Sequence, residues 1–183
     1  MITVFPFNKL GRHNYGWLDA HYHFSFANYY DPDKNGFPPL VVWNDDRIQS
    51  DTGFPMHSHK DMEIITYIRQ GAITHEDSLG NKGTTMGGEI QIMSAGTGIT
   101  HSEYNHEDEE TLLFQIWIQP NKSHIKPRWE KITIDTGASR GIGKAISMRL
   151  AQCGVKIMLV SRNIDDLDNV KQSIISQGGK AEI

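Results

Sequence analysis

The strongest constraint on the fold is a pattern that recurs up to about Pro127. Short β-branched and aromatic runs, "PLVVW", "MEIITYI", "IQIM" and "LLFQIWI", alternate with turn clusters such as "DPDKNG", "DSLGNKG" and "SAGTG". Runs of this length read as strands, and the glycine, proline, aspartate and asparagine between them supply the turns. "LLFQIWI" is apolar on both faces, which calls for a strand covered on both sides, as in a sandwich or closed barrel. The pattern predicts a mainly β domain.

After "PRWEK" the style changes. "KITI" reads as a short strand and "TGASRGIG" (Thr136 to Gly143) as a glycine-rich turn. "KAISMRLAQCG" has helical spacing at Ile146, Leu150 and Cys153, with Gly154 as the C-cap. "VKIMLV" reads as a buried-type strand, and "DDLDNVKQSIISQGG" as a second amphipathic helix ending in glycine. That is β-α-β-α, with the chain stopping where a third strand would begin. The expected organisation is a β domain over 1–130 and a short α/β fragment over 131–183.

The 183 residues suit one domain and a fragment, and 38% apolar with 22% charged residues is ordinary for a globular protein with a real core. A net charge of −4 gives no general attraction for nucleic acid or anionic membrane, and the run "HEDEE" reads as a solvated acidic loop. Cys153 is the only cysteine, which excludes an intrachain disulfide and a thiolate zinc cage. No stretch reaches the ~20 apolar residues of a membrane helix. "MITVFPFNKLGRHN" lacks the basic and apolar regions of a secretory signal, so a cytoplasmic location is the default expectation.

Chemistry concentrates in two short motifs. In "GFPMHSHKDMEIITYIRQG", His57 and His59 stand at i and i+2, which share one face of a strand and can reach one ion at the ~2.0–2.1 Å of metal–imidazole bonds. In "MSAGTGITHSEYN", His101 and Glu103 repeat that spacing after a glycine-rich turn able to bring the strand back beside the first. Together they offer three imidazoles and one carboxylate, a set that suits Fe, Ni, Cu, Mn or Zn; in an octahedral site two positions stay open for chemistry. Glu63 shares strand parity with His57 and His59 and is the alternative carboxylate, or a group that orients a histidine. A further pair, His21 and His23 in "HYHFSF", reads as strand packing or surface, and His75 in "THEDSLGN" as a strand-end or hairpin residue.

"HFSFANYYD", "VVWNDDRI", "GFPMHSHKDMEIITYIRQGAITHEDSLGN", "IQIMSAGTGITHSEYN" and "FQIWIQP" resemble, in order, the amino-terminal cupin domain of the pirin family, over about residues 1 to 130. The resemblance implies a cupin (jelly-roll type) barrel. It also implies a metal held by the HxH and HxE pairs, here His57, His59, His101 and Glu103, while the glutamate of the broader cupin motif would fall on Glu63. One divalent transition metal follows, iron first, with nickel, copper, manganese and zinc open. Some pirins are similar to quercetinases, which open a flavonol ring with dioxygen; in that reading a flavonol-like molecule is the substrate and Glu103 the catalytic base. Others are nuclear regulators that bind transcription factors, so a non-catalytic metal-binding interaction protein is the second reading and a truncated fusion product the third.

The tail departs from pirins, which carry a second cupin. Its TGxxxGxG spacing resembles the start of a short-chain dehydrogenase/reductase, a fragment of Rossmann type in which such a turn sets a cofactor pyrophosphate on a helix N-terminus. Arg162 falls where such enzymes often favour a 2′-phosphate. The later strands and the catalytic Ser and Tyr-x-x-x-Lys set have no counterpart here, so a working dehydrogenase is not expected. Without the second cupin, exposed apolar surface is expected, and self-association into a homo-oligomer is one remedy.

Overall fold

The structure, a computed structural model, describes residues 5–133, 144, 147–148, 151, 156–159 and 164–183. Two compact units result, Met1–Ile132 and Thr133–Ile183.

The first unit runs through β1 (Gly11–Asn14), β2 (Leu18–Tyr22), β3 (Leu40–Ile48), β4 (Thr52–His59), β5 (Glu63–Gln70), β6 (Ala72–Asp77), β7 (Lys82–Met86), β8 (Glu89–Ser94), β9 (Ile99–Asn105), β10 (Thr111–Ile118) and β11 (Arg128–Thr133). They form a seven-stranded sheet, β1-β2-β3-β10-β5-β8-β11, and a four-stranded sheet, β4-β9-β6-β7. The core draws Leu18, Ile48, Ile68 and Leu113 from the large sheet and Ile73 from the small one, so it lies between them. This is the expected mainly β, jelly-roll type of architecture, built as two facing sheets that, among the described residues, hydrogen bonding does not close into a barrel.

The "LLFQIWI" run occupies β10 between β3 and β5. Its alternate residues Leu113 and Gln115 point to the interior. On the opposite face Phe114 packs against Trp43 at 5.9 Å and Tyr67 at 6.3 Å, with the Arg69 guanidinium 4.7 Å from its ring. An aromatic and cationic layer thus covers the side that the sequence left apolar. The "KITI" run contributes Lys131, Ile132 and Thr133 to β11, at the edge of the large sheet.

In the second unit, β12 (Lys156–Met158) and β13 (Lys180–Glu182) pair in parallel, with α1 (Ile164–Ser176) between them in sequence. Leu167, Val170 and Ile174 form the buried stripe of α1 and cluster with Ala151, Ile157, Leu159 and Ala181. The third strand therefore forms, as β13. Lys144, Ser147, Met148 and Ala151 of the "KAISMRLAQCG" run are helical. "TGASRGIG", Ile146, Leu150, Cys153, Gly154 and Arg162 lie outside the described residues. Among the described residues no helix is long and apolar enough to cross a membrane.

Candidate metal centre

The site is built on the antiparallel pair β4–β9, in which His57 stands directly opposite His101. Between Phe54↔Glu103 and His57↔His101 the register shifts, so three steps along β4 match two along β9. That is a β-bulge at Pro55 and Met56, a position where a proline loses no ladder bond. The extra residue reverses the alternation of inward and outward side chains. Phe54 before the bulge and His57 and His59 after it consequently line the same cavity. Gly53 permits the close approach of the two strands: a Cβ there would lie 2.2 Å from the Glu103 carbonyl oxygen and 2.5 Å from Tyr104 Cα.

The three imidazoles converge, with ring centroids 4.7 Å apart for His57–His59, 4.4 Å for His57–His101 and 5.1 Å for His59–His101. One ligand atom from each lies within 4.8 Å of the others. His57 Nδ1 is 2.7 Å from the Pro55 carbonyl oxygen, an acceptor only, so Nδ1 carries the proton and Nε2 the lone pair. His101, 2% exposed, has no hydrogen-bond partner for Nε2. Burial, reinforced by His57, pushes His59 down to about 4. Burial, reinforced by His57, His59 and His75, pushes His101 down to about 3, so both present neutral lone pairs at neutral pH. A buried lone pair without a donor beside two further imidazoles is a donor set that fits a divalent transition ion.

Glu103 gathers differently. Its carboxylate groups with His75 and His101, again within 4.8 Å, rather than with His57 and His59. It reaches across the interior to a polar row on the large sheet, Gln115, Thr66 and Gln91, which are register neighbours on β10, β5 and β8. Oε1 accepts the Thr66 hydroxyl at 3.1 Å and the Gln91 amide, and Oε2 the Gln115 amide at 3.0 Å. Thr85 donates to Gln91 Oε1 at 3.1 Å and thereby turns the Gln91 amide nitrogen toward Glu103. Burial raises the Glu103 pKa, offset only in part by His75, Thr66, His57 and Gln115.

Glu63 is in neither group. The chain leaves the small sheet at His59 and enters the large one at Glu63, so parity along β4 does not carry into β5. Its carboxylate accepts the Ser94 hydroxyl at 2.6 Å. His21 and His23 also stay apart: the His21 ring packs on Phe7 at 4.4 Å, and the His23 ring lies 6.0 Å from Trp43.

Two residues, Asn44 and Asp46, escaped the sequence reading. His75, expected at a strand end or in a hairpin, lies in the β6–β7 hairpin opposite Gly83, but within the strand and fully buried, its ring stacked on Trp129 at 4.8 Å. Asn44 and Asp46 face the cavity from β3, and Asn44 Oδ1 and Asp46 Oδ1 are buried without partners. Burial pushes Asp46 up to about 8, reinforced by Asp45 and Glu103. Their signal was present: both share the parity of the inward Val42 and Ile48. Phe26, Phe54, Ile64 and Trp117 complete the walls around a volume of about 60 Å³.

Residues 5–118 match the pirin family profile. The chain belongs to the pirin family. A pirin-like protein of Caulobacter vibrioides is 59% identical over 129 residues, 70% of this chain and 56% of that protein. A quercetin 2,3-dioxygenase of Escherichia coli K12 is 54% identical over 136 residues, 74% of this chain and 59% of that one. The crystal structure of the bacterial pirin YhhW from Escherichia coli in complex with nickel(II) superposes with a TM-score of 0.68 at 53% identity, over 70% of this chain and 56% of that one. This pirin-family chain thus spans little more than half the length of the relatives it matches. Residues 131–183 match the short chain dehydrogenase profile instead.

Proposed function

We propose that the pirin-type unit holds one divalent transition metal through His57, His59, His101 and Glu103, and acts on a flavonol-like substrate as a ring-opening dioxygenase of the quercetin 2,3-dioxygenase type. The observation that carries the reading is the buried, unpartnered Nε2 of His101 beside His57 and His59. The relatives named above, a quercetin 2,3-dioxygenase and a nickel-holding pirin, support it. When bound, the ion supplies Lewis acidity that lowers the pKa of a flavonol hydroxyl and keeps open positions for the reactants.

The chain's own residues do the rest. Glu103 Oε1 accepts Thr66 and Gln91 and Oε2 accepts Gln115, so one lone pair is left. It would hold the ion or, once Glu103 loosens from the ion, take the hydroxyl proton, and burial favours that protonation. Phe26, Phe54 and Trp117 exclude water from the reacting centre. A volume of about 60 Å³ is smaller than a flavonol and would admit only its reacting oxygens. That small volume is also what favours the second reading, a metal-binding interaction protein without turnover. The tail, 131–183, is in our reading the opening of a Rossmann-type unit.

The test is metal content by elemental mass spectrometry, then oxygen uptake with quercetin after loading with iron, nickel, copper, manganese or zinc. About one ion per chain, lost in the double variant His101→Ala, Glu103→Ala, is the expected result. Glu103→Gln is expected to retain much of the metal and to lose roughly 10²-fold or more in turnover, the usual worth of a general base. Unchanged turnover removes the base role; metal without oxygen uptake selects the interaction reading.

A further inference from the structure

We propose that Asp77 and His75 form a positioning relay that keeps the His101 proton on Nδ1 and its lone pair on Nε2, aimed at the metal position; this rests on the metal reading of the site. The chain of reasoning starts at a turn. Asp77 Oδ1 accepts the backbone N–H groups of Leu79 at 2.9 Å and Asn81 at 3.0 Å. Its Oδ2 accepts the Asn81 amide at 2.9 Å and faces His75 Nε2 at 3.1 Å. An ionised carboxylate only accepts, so a His75 proton lies on Nε2; in the proposed relay it is the ring's one proton, and Nδ1 keeps a lone pair. That lone pair lies 3.4 Å from His101 Nδ1. Two lone pairs do not face each other at that distance, so His101 Nδ1 carries the proton. The lone pair left on His101 is then Nε2, the very atom that is buried without a partner.

Packing holds the relay in place. Asp77 stands opposite His101 in the β6–β9 register, and His75 stands opposite Glu103. The His75 ring is stacked on the Trp129 indole with an interplanar angle of 9°, which fixes its plane. A carboxylate that orients a ligand imidazole also raises its basicity, and the loss of such partners typically lowers metal affinity 10–100-fold. Here the carboxylate acts through one intervening histidine.

The substitution that inverts the relay is Asp77→Asn. The backbone amides of Leu79 and Asn81 select the new carbonyl oxygen, which turns the amide –NH₂ toward His75 Nε2 and toward the Asn81 side chain, whose amide turns over to accept with its oxygen. His75 then carries its proton on Nδ1, and His101 is driven to the Nε2–H tautomer, which cannot ligate. Ring-nitrogen NMR of the metal-free protein is expected to place the His101 proton on Nδ1 in the parent and on Nε2 in Asp77→Asn. Nickel(II) affinity, titrated by calorimetry, should fall 10–100-fold in the variant. His75→Gln, whose side-chain oxygen can accept the His101 proton, should retain more affinity than His75→Leu, which cannot.

The relay is overturned if the parent shows the His101 proton on Nε2 or both His75 nitrogens protonated. It is equally overturned if Asp77→Asn leaves tautomer and affinity unchanged, or if two nickel ions bind with His75 as a ligand. Should the parent bind no nickel, the metal reading fails, and the metal-free spectra still decide the relay.

Discussion

Replacing Asp46 with asparagine should stabilise the metal-free protein, by an amount that grows with pH. Asp46 is 2% exposed, its Oδ1 has no partner, and its register partners Ala20 and Leu113 offer it no charge. Burial, with Asp45 and Glu103 adding to it, raises its pKa from 3.8 to about 8. The folded state therefore binds the proton more tightly than the unfolded chain. Stability from this group is complete below 3.8 and is lost as pH rises, until the curve flattens near 8. At about 1.36 kcal/mol per unit, the span from 3.8 to pH 7 corresponds to a ceiling of about 4 kcal/mol. Asparagine keeps the shape and removes the ionisation. Urea unfolding of chelator-treated parent and Asp46→Asn protein, between pH 4 and pH 8, isolates the effect as the difference between the two curves. Trp17, Trp43, Trp117 and Trp129 all lie in the first unit, so their fluorescence follows the unit that contains Asp46. A difference near zero at pH 4 that rises toward the ceiling by pH 7 is the expected result. A difference independent of pH would refute the argument, because it would mean that the carboxyl titrates alike in both states.

Two further perturbations probe what holds each unit together. Gly53→Ala places a Cβ against backbone atoms of Glu103 and Tyr104 that cannot rotate away, and should destabilise the first unit by about 1–3 kcal/mol or more in urea unfolding, with weaker nickel(II) binding because β4 shifts against β9. In the second unit, Ile174→Ala removes a buried side chain from the stripe of α1 and should lower the protection of the Val170 amide in hydrogen exchange by the equivalent of about 2–5 kcal/mol or by the whole local stability, whichever is smaller.

The elements legible in the sequence were those whose signal is local. "MEIITYI" and "LLFQIWI" became β5 and β10 because their composition suits a covered strand, and the amphipathic spacing of Leu167, Val170 and Ile174 yielded α1. The convergence of His57, His59 and His101 was legible for a related reason: spacing at i and i+2 survives any register, provided the two strands pair, and β4 and β9 do, whereas Glu103 groups with His75 and His101. What local signal could not carry is anything set by register or by a change of sheet. Glu63 follows the HxH pair with the right parity, yet the turn through Lys60, Asp61 and Met62 moves it to the other sheet and cancels the argument. The bulge at Pro55 and Met56 has the same character: it leaves His57 and His59 aligned with each other but decides whether Phe54 joins them. The donors to Glu103 come from residues 66, 91 and 115, which only the pairing β10-β5-β8 makes neighbours. Residues that converge as these three imidazoles do can therefore be found from spacing. The donors that hold Glu103 are invisible until the register is known; His75 and Asp77 do stand at i and i+2 on β6, but only the pairing of β6 with β9 sets that pair beside His101.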